Sequence, residues 1–128
     1  MKLLLDTHAL LWWWTNNSRL SAKARNAIAE EDNVILVSSA SAWEIATKYR
    51  IGKLPEASSA LGQFNELVTA DGFTHLPMNH QHALRAGAYV NEHRDPFDRM
   101  LVAQSEIENA TLVSLDPVMN LLGARLLW

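Results

Sequence analysis

Four acidic residues stand where α/β proteins do chemistry: Asp6, Glu44, Asp98 and Asp116. Asp6 ends the run KLLLD, Lys2 to Asp6, whose three leucines show no polar alternation. Such a run reads as a strand buried on both faces, like the central strand of a parallel sheet. A carboxylate at the end of that strand is costly to bury without a partner. Asp116 follows a second short apolar run, TLVSL, from Thr111 to Leu115. Glu44 lies in the first turns of the helix after the strand VILV, Val34 to Val37. Asp98 is the third residue of a helix that Asp95 caps, with Pro96 at the first helical position. In a parallel sheet, strand ends and the starts of the following helices share one edge, where ligands bind. The four acids can therefore converge, although they are spread from position 6 to position 116. Oxygen-only ligands favour Mg²⁺ or Mn²⁺ over zinc. A cation held there polarises a water for attack on a phosphodiester.

Each acid also has a plainer reading. Asp6 can simply cap the first helix. Glu44 can pair with Lys48 four residues on, a solvated helix pair worth about 0.3–0.5 kcal/mol. Asp98, three residues after Asp95, suits the dipole of a helix start. Asp116, before Pro117, can be a turn residue or N-cap. Spacing alone leaves both sets of readings open. The histidines suggest no metal site. His80 and His82 are two apart on a helix and do not share a face. His8 is expected to point elsewhere on its helix, and His75 and His93 have no spaced partner. No Gly-rich phosphate loop, Gly-x-Ser-x-Gly or zinc-finger spacing is present.

The elements that must position these acids follow from the apolar pattern and the cap signals. The first helix runs from Ala9 to Trp14 and ends at Asn16, Asn17 and Ser18. Trp12, Trp13 and Trp14 fan over ~200° of it, wider than one core-facing stripe. Either two enter the core and one is partly covered, or at least one anchors a protein interface. Ser21 caps the helix SAKARNAIAEED. Ser38, Ser39 and Ser41 offer caps for a helix running to about Ile51, with Gly52 at its C-terminal end and Pro55 preventing resumption. Ser58 and Ser59 open one amphipathic helix, SALGQFNELVTA, stopped by Asp71 and Gly72. Phe73 to Leu76 is a strand. Asn79 caps the helix HQHALRAGAYV, and Asp95 caps PFDRMLVAQSEIENA. After Thr111 to Leu115, a helical turn PVMNLL leads through Gly123 to a last strand, ARLLW. Strands alternating with helices predict an α/β protein, a parallel sheet wrapped by helices.

At 128 residues the chain predicts one domain with a real core. Hydrophobic content of 48% and charged content of 20% are ordinary for a globular protein. There is no cysteine, hence no disulfide or thiolate site. No apolar run reaches the ~18 residues of a membrane span. The first residues read as a strand, with no signal peptide apparent, so the cytoplasm is the expected compartment. A net charge of -3 argues against a sticky polyanion binder. With four of the 14 acids around bound cations, however, the rest no longer outnumber the 11 Lys and Arg, so RNA or DNA stays open as substrate.

DTHALLWW (Asp6 to Trp13), SAWEIATKYRIGKL (Ser41 to Leu54), HRDPFDRMLVAQ (His93 to Gln104) and LVSLDPVM (Leu112 to Met119) resemble the PIN-domain family. The resemblance is nearest to its VapC-like branch, the ribonuclease toxins of type II toxin–antitoxin pairs. It spans nearly the whole chain, with all four blocks in the family's order. It implies one PIN domain over residues 1–128, a three-layer α/β/α sandwich around a parallel sheet of roughly four or five strands. It implies an endoribonuclease dependent on Mg²⁺ or Mn²⁺. Carried over by position, the family's acids fall on Asp6, Glu44, Asp98 and Asp116 as catalytic metal ligands, with Asp95 accessory. The small hydroxyl residues near the first and last acids are Thr7 and Ser114, which would hold acids or metal waters in place. Arg94 and Arg99 are candidates for backbone phosphates. Lys48, Arg50 and Lys53 would extend a track for RNA. The implied partners are RNA, a cognate antitoxin whose arginine can enter the acidic pocket, and a homodimer mate.

Two other classes compete with this reading. A phosphatase or phosphoacceptor domain would use a strand-end Asp as nucleophile. It calls for a second Asp two residues on, or a lysine after a later strand, and neither His8 nor the VSLDP stretch supplies one. A PIN-like binding or regulatory domain without turnover would keep the acids, and sequence does not separate it from an enzyme.

Overall fold

In the computed structural model, which describes residues 1–128, the leucine run forms the central strand. The strands are β1 (Lys2–Leu5), β2 (Val34–Ser38), β3 (Thr74–Leu76), β4 (Thr111–Val113) and β5 (Leu126–Leu127). All pair in parallel, in the order β3-β2-β1-β4-β5. The helices are α1 (Thr7–Trp14), α2 (Ala22–Ala29), α3 (Ser39–Arg50), α4 (Ser58–Gly62), α5 (Phe64–Ala70), α6 (His80–Ala88), α7 (Pro96–Ile107) and α8 (Val118–Leu121). The chain lays down β1, β2 and β3 in one direction, then returns to place β4 on the other side of β1. The gap beyond the ends of β1 and β4 is therefore a topological switch point, where open α/β sheets bind ligands.

Alternation along the strands sorts the core into two layers. Leu3, Leu5, Ile35, Val37 and Val113 face one way and pack with Leu10, Leu11, Ile28, Ile45 and Val68 from helices α1, α2, α3 and α5. Leu4, Leu36, Leu76 and Leu112 face the other way, against Leu101, Val102 and Met119 from α7 and α8. Leu3, Leu4 and Leu5 are wholly shielded from water. Each buried leucine contributes about 1.5–3 kcal/mol, which anchors the strand that delivers Asp6. The result is the three-layer α/β/α arrangement with a five-stranded parallel sheet.

Several local expectations change. Residues 58–70 form two helices, because Gln63 leaves the helical region at φ -132. Pro55 opens a 3₁₀ turn, Pro55–Ala57, at a position where its missing N–H costs nothing. Helix α7 stops at Ile107, and Asn109 turns the chain with φ 53. Strand β4 ends at Val113, so Leu115 lies outside it, and β5 keeps only Leu126–Leu127. None of the three consecutive tryptophans is fully buried; each is half-buried. Trp13 and Trp14 both donate their indole N–H to Oδ2 of Asp71, at 3.1 and 2.9 Å. Trp12 turns the other way and meets Trp128 edge-on at 5.8 Å.

A buried polar chain ties β2, α6 and α7 together. Ser38 donates to Oε1 of Gln104 at 2.5 Å, and Nε2 of Gln104 donates to the Pro77 carbonyl at 3.4 Å. His82, 1% exposed, closes the capping box of α6. Its Nδ1 accepts the Asn79 N–H at 3.2 Å, which leaves Nε2 to donate to Glu108 at 3.2 Å. Removing the ring leaves a cavity and takes away the acceptor of the Asn79 N–H, undoing the capping box. His82→Ala is expected to lower unfolding free energy by about 2–3 kcal/mol, read as a shift of the urea midpoint. An unchanged midpoint would show that the chain carries no stability.

Candidate active site

Asp6 leaves β1 with extended φ -74, ψ 171 and caps α1, its Oδ1 accepting the Ala9 N–H at 2.7 Å. The plain cap reading holds, and the same side chain also lines a cavity. Asp6 is 6% exposed, and burial raises its pKa, against the Ser114 hydroxyl and the Ala9 N–H, which lower it. Glu44 is 3% exposed on α3. Its Oε1 accepts from Thr7 Oγ1 at 2.5 Å, and Thr7 also reaches Ser41 Oγ at 3.1 Å. Its Oε2 is ion-paired with Lys48. Asp95 caps α7, accepting the N–H groups of Phe97 and Asp98 at 2.9 and 3.2 Å. Asp98 accepts from His93 Nε2 at 2.8 Å, if that nitrogen carries the proton. Asp116 is exposed; its Oδ1 accepts the Val118 N–H at 3.0 Å, and its own N–H donates to Ser114 Oγ at 3.1 Å.

Asp6, Glu44, Asp98 and Asp116 all line one cavity of about 130 Å³, and Asp95 joins them. Thr7, His8, Lys48 and Met119 complete its wall. A larger hollow of about 550 Å³ lies elsewhere, along α6 beside Leu84, Arg85 and Ile107, with no convergent carboxylates.

Charge crowding shows in the titration behaviour. Burial pushes Asp98 up to about 6; Asp95 and Glu44 add to the rise, and His93 opposes it. For Lys48, burial pulls downward, but Glu44, Asp95 and Asp98 outweigh it and the net direction is up. The ammonium is therefore held charged among the acids, a stand-in for a cation. The donor set present is carboxylates and hydroxyls, which suits a hard divalent ion that keeps several of its waters. No three acids or imidazoles stand together as a ready ligand set.

Other expectations are corrected. Arg99 is not free for phosphate. Its guanidinium donates to the carbonyls of Ala86, Tyr89, Asn91 and His93, at 3.0, 2.5, 3.0 and 2.9 Å. It organises the loop that carries His93 and Asp95. Lys48 faces the acids through Glu44 rather than standing in an outer track. Arg94 is exposed beside Asp95, and Arg50 and Lys53 are exposed at the end of α3. Two histidines were missed. His93 reaches Asp98 through an irregular loop, which no helical spacing rule detects. His8 lines the cavity and lies 5.5 Å from the Trp12 ring. The i,i+4 relation of His8 and Trp12 was the available signal.

The sequence model of the PIN domain matches residues 3–123. The chain belongs to the PIN-domain family. A curated relative, Ribonuclease VapC16 of Mycobacterium tuberculosis, is 41% identical over 68 residues. That match covers 50% of this PIN chain and 48% of the relative, so it spans about half of each. Among solved structures, VapC20 of M. tuberculosis, a Sarcin-Ricin loop cleaving toxin, superposes with TM-score 0.68 at 15% identity over 95% of each chain. VapBC2 from Rickettsia felis, bound to a promoter DNA fragment, gives 0.67 at 17% identity over 99% of this chain and 98% of that one. VapBC-1 from nontypeable Haemophilus influenzae gives 0.65 at 17% identity over 99% and 97%. These neighbours bear on the fold of this PIN domain.

Two outcomes are expected. In metal-free protein, Asp98 binds its proton more tightly folded than unfolded, since its pKa rises from 3.8 to about 6. Its contribution to stability is full below the unfolded value and is lost as pH rises through about 6. Thermal melts in EDTA should show that loss in the wild type and a flatter profile in Asp98→Asn; identical profiles would exclude Asp98 as the source. Arg99→Lys keeps the charge but loses the fork of donors. It should speed limited proteolysis between Tyr89 and Asp95 severalfold, and unchanged cleavage would show that the loop holds without it.

Proposed function

We propose that this PIN domain, residues 1–128, is a metal-dependent endoribonuclease of the VapC toxin type, acting in the cytoplasm. The observation that carries the reading is the convergence of Asp6, Glu44, Asp98 and Asp116 on one cavity at the switch point. The curated relative is named a ribonuclease, and one structural neighbour is described as cleaving the Sarcin-Ricin loop. Asp6, Glu44, Asp98 and Asp116 would hold Mg²⁺ or Mn²⁺, with Asp95 accessory. When bound, the ion supplies activation of water and charge neutralisation at the phosphoryl oxygens.

The chain's own residues do the rest. Thr7 holds Glu44 in place, and Ser114 sits between Asp6 and the Asp116 backbone. These contacts orient the acids before substrate arrives, as supporting partners of ligands do. In the metal-free protein burial pushes Asp98 up to about 6, and His93 holds its carboxyl in place. Water attacks phosphorus in line, the bond to the leaving ribose oxygen breaks, and a proton ends on that oxygen. Lys48 balances the acids when no divalent ion is present. Exposed Arg94, Arg50 and Lys53 are left to meet RNA phosphates.

A cognate antitoxin is the proposed partner, because two of the structural neighbours are VapBC complexes. The homodimer remains part of the reading.

Asp6→Asn keeps shape and cap while removing a ligand charge. Purified variant, freed of partner, should cleave structured RNA at least about 100-fold more slowly than wild type in Mg²⁺ or Mn²⁺, with unchanged circular dichroism. Wild type in EDTA should be equally inactive and regain cleavage with Mn²⁺. A wild type that cuts nothing in a broad RNA panel would leave the non-turnover reading in its place.

A further inference from the structure

The acid cavity is not closed. It shares Asp6, His8 and Asp116 with a second hollow of about 320 Å³, whose remaining wall is Trp12, Leu115 and Pro117. The two hollows differ in chemistry. One is ringed by carboxylates; the other is mostly aromatic and aliphatic. Pockets that hold small organic groups have this second character, at about 300 Å³ and above.

The local structure explains why the hollow exists. Helix α1 starts at Asp6, so His8 and Trp12 stand one turn apart on the face that looks toward β4. Their rings lie 5.5 Å apart at 42°, too splayed to stack on each other. Trp128 and Arg19 hold the indole from other directions, Trp128 edge-on at 5.8 Å and the Arg19 guanidinium 5.9 Å from the ring centre. Across from them, β4 ends at Val113 and Leu115 is left 55% exposed in the loop before Asp116. An exposed leucine and a tryptophan flanking a carboxylate cluster have no use in holding a metal ion.

We infer that this hollow is a nucleobase subsite, taking one unpaired base of the RNA chain next to the phosphodiester in the acid cavity. The inference rests on the nuclease reading and adds to it the form of the substrate. A base attached to the nucleotide at the scissile phosphate has only a short reach, and the shared wall of Asp6, His8 and Asp116 sets the two hollows side by side. Flat rings pack against indole and imidazole with little dependence on base identity.

The test uses the full chain with ¹⁵N-labelled tryptophan and histidine, in EDTA so that nothing is cleaved. AMP and CMP are the probes, and ribose 5-phosphate is the control without a base. AMP and CMP should shift the Trp12 indole and His8 signals, with Trp12→Phe serving to assign the indole, and ribose 5-phosphate should leave both in place. In Mn²⁺, Leu115→Ser, which removes the apolar wall without adding charge, should raise KM for a single-stranded RNA severalfold, with kcat, Mn²⁺ affinity and the melting temperature near wild type. Signals unmoved by nucleotides, together with an unchanged KM in Leu115→Ser, would overturn the subsite while leaving the nuclease reading intact. Nucleotide shifts at Trp12 and His8 in a protein that cuts no RNA would support the subsite and overturn turnover. Shifts of the same signals with protein concentration alone, unaffected by AMP or CMP, would assign the hollow to a second copy of the chain and overturn the inference.

Discussion

Negative charge crowded at the carboxyl ends of β1 and β4 is the constraint around which the molecule is arranged. Five carboxylates meet at a cavity of about 130 Å³, and two of them, Asp6 and Glu44, are almost wholly buried. Ionised carboxylates this close raise one another's proton affinity. The fold answers with a fixed donor on at least one oxygen of each carboxylate. Asp6 and Asp95 cap helices α1 and α7, whose positive ends favour them. Thr7 serves Glu44, Ser114 serves Asp6, His93 serves Asp98, and the Lys48 ammonium sits against Glu44. The residual rise in the pKa values of Asp6 and Asp98 is what these donors leave uncompensated.

The same side chains therefore hold helix starts and crowd the cavity. A cap is usually a stability device, yet here two caps also line the acid cavity. The remaining irregular segment, between α6 and α7, carries His93 and Asp95 without any helix or strand to set its shape. Arg99 does that instead, gathering four carbonyls from its place on α7. A guanidinium suits the task because its donors lie in one rigid plane. Arg99, next to Asp98 in sequence, is thus committed to scaffolding.

Beside the charged cavity lies an apolar one, with Asp6, His8 and Asp116 as the common wall. Such a pairing separates two jobs. Carboxylates suit a cation, while rings and aliphatic groups suit a flat, weakly polar group. The division follows from Asp6 capping α1: Thr7 lines the acid cavity, and His8 and Trp12, one turn apart, line the neighbouring hollow.

Apolar periodicity and cap chemistry determined a good deal without any tertiary information. KLLLD, VILV and TLVSL read as buried parallel strands because each is built on consecutive apolar residues rather than on a polar-apolar alternation, and Ser21, Asn79 and Asp95 announced helix starts by their short acceptor side chains. The positions of Asp6, Glu44, Asp98 and Asp116 at one rim followed from the rule that strand ends and helix starts share an edge. Only the folded chain decided what depends on distances across it. The break at Gln63, the half-buried state of Trp12, Trp13 and Trp14, the capture of Arg99 by carbonyls, and the reach of His93 to Asp98 all depend on neighbours far along the chain or on irregular backbone. Local pattern encodes which face a residue turns toward. It does not encode which group will be waiting there, and that is settled when the layers close.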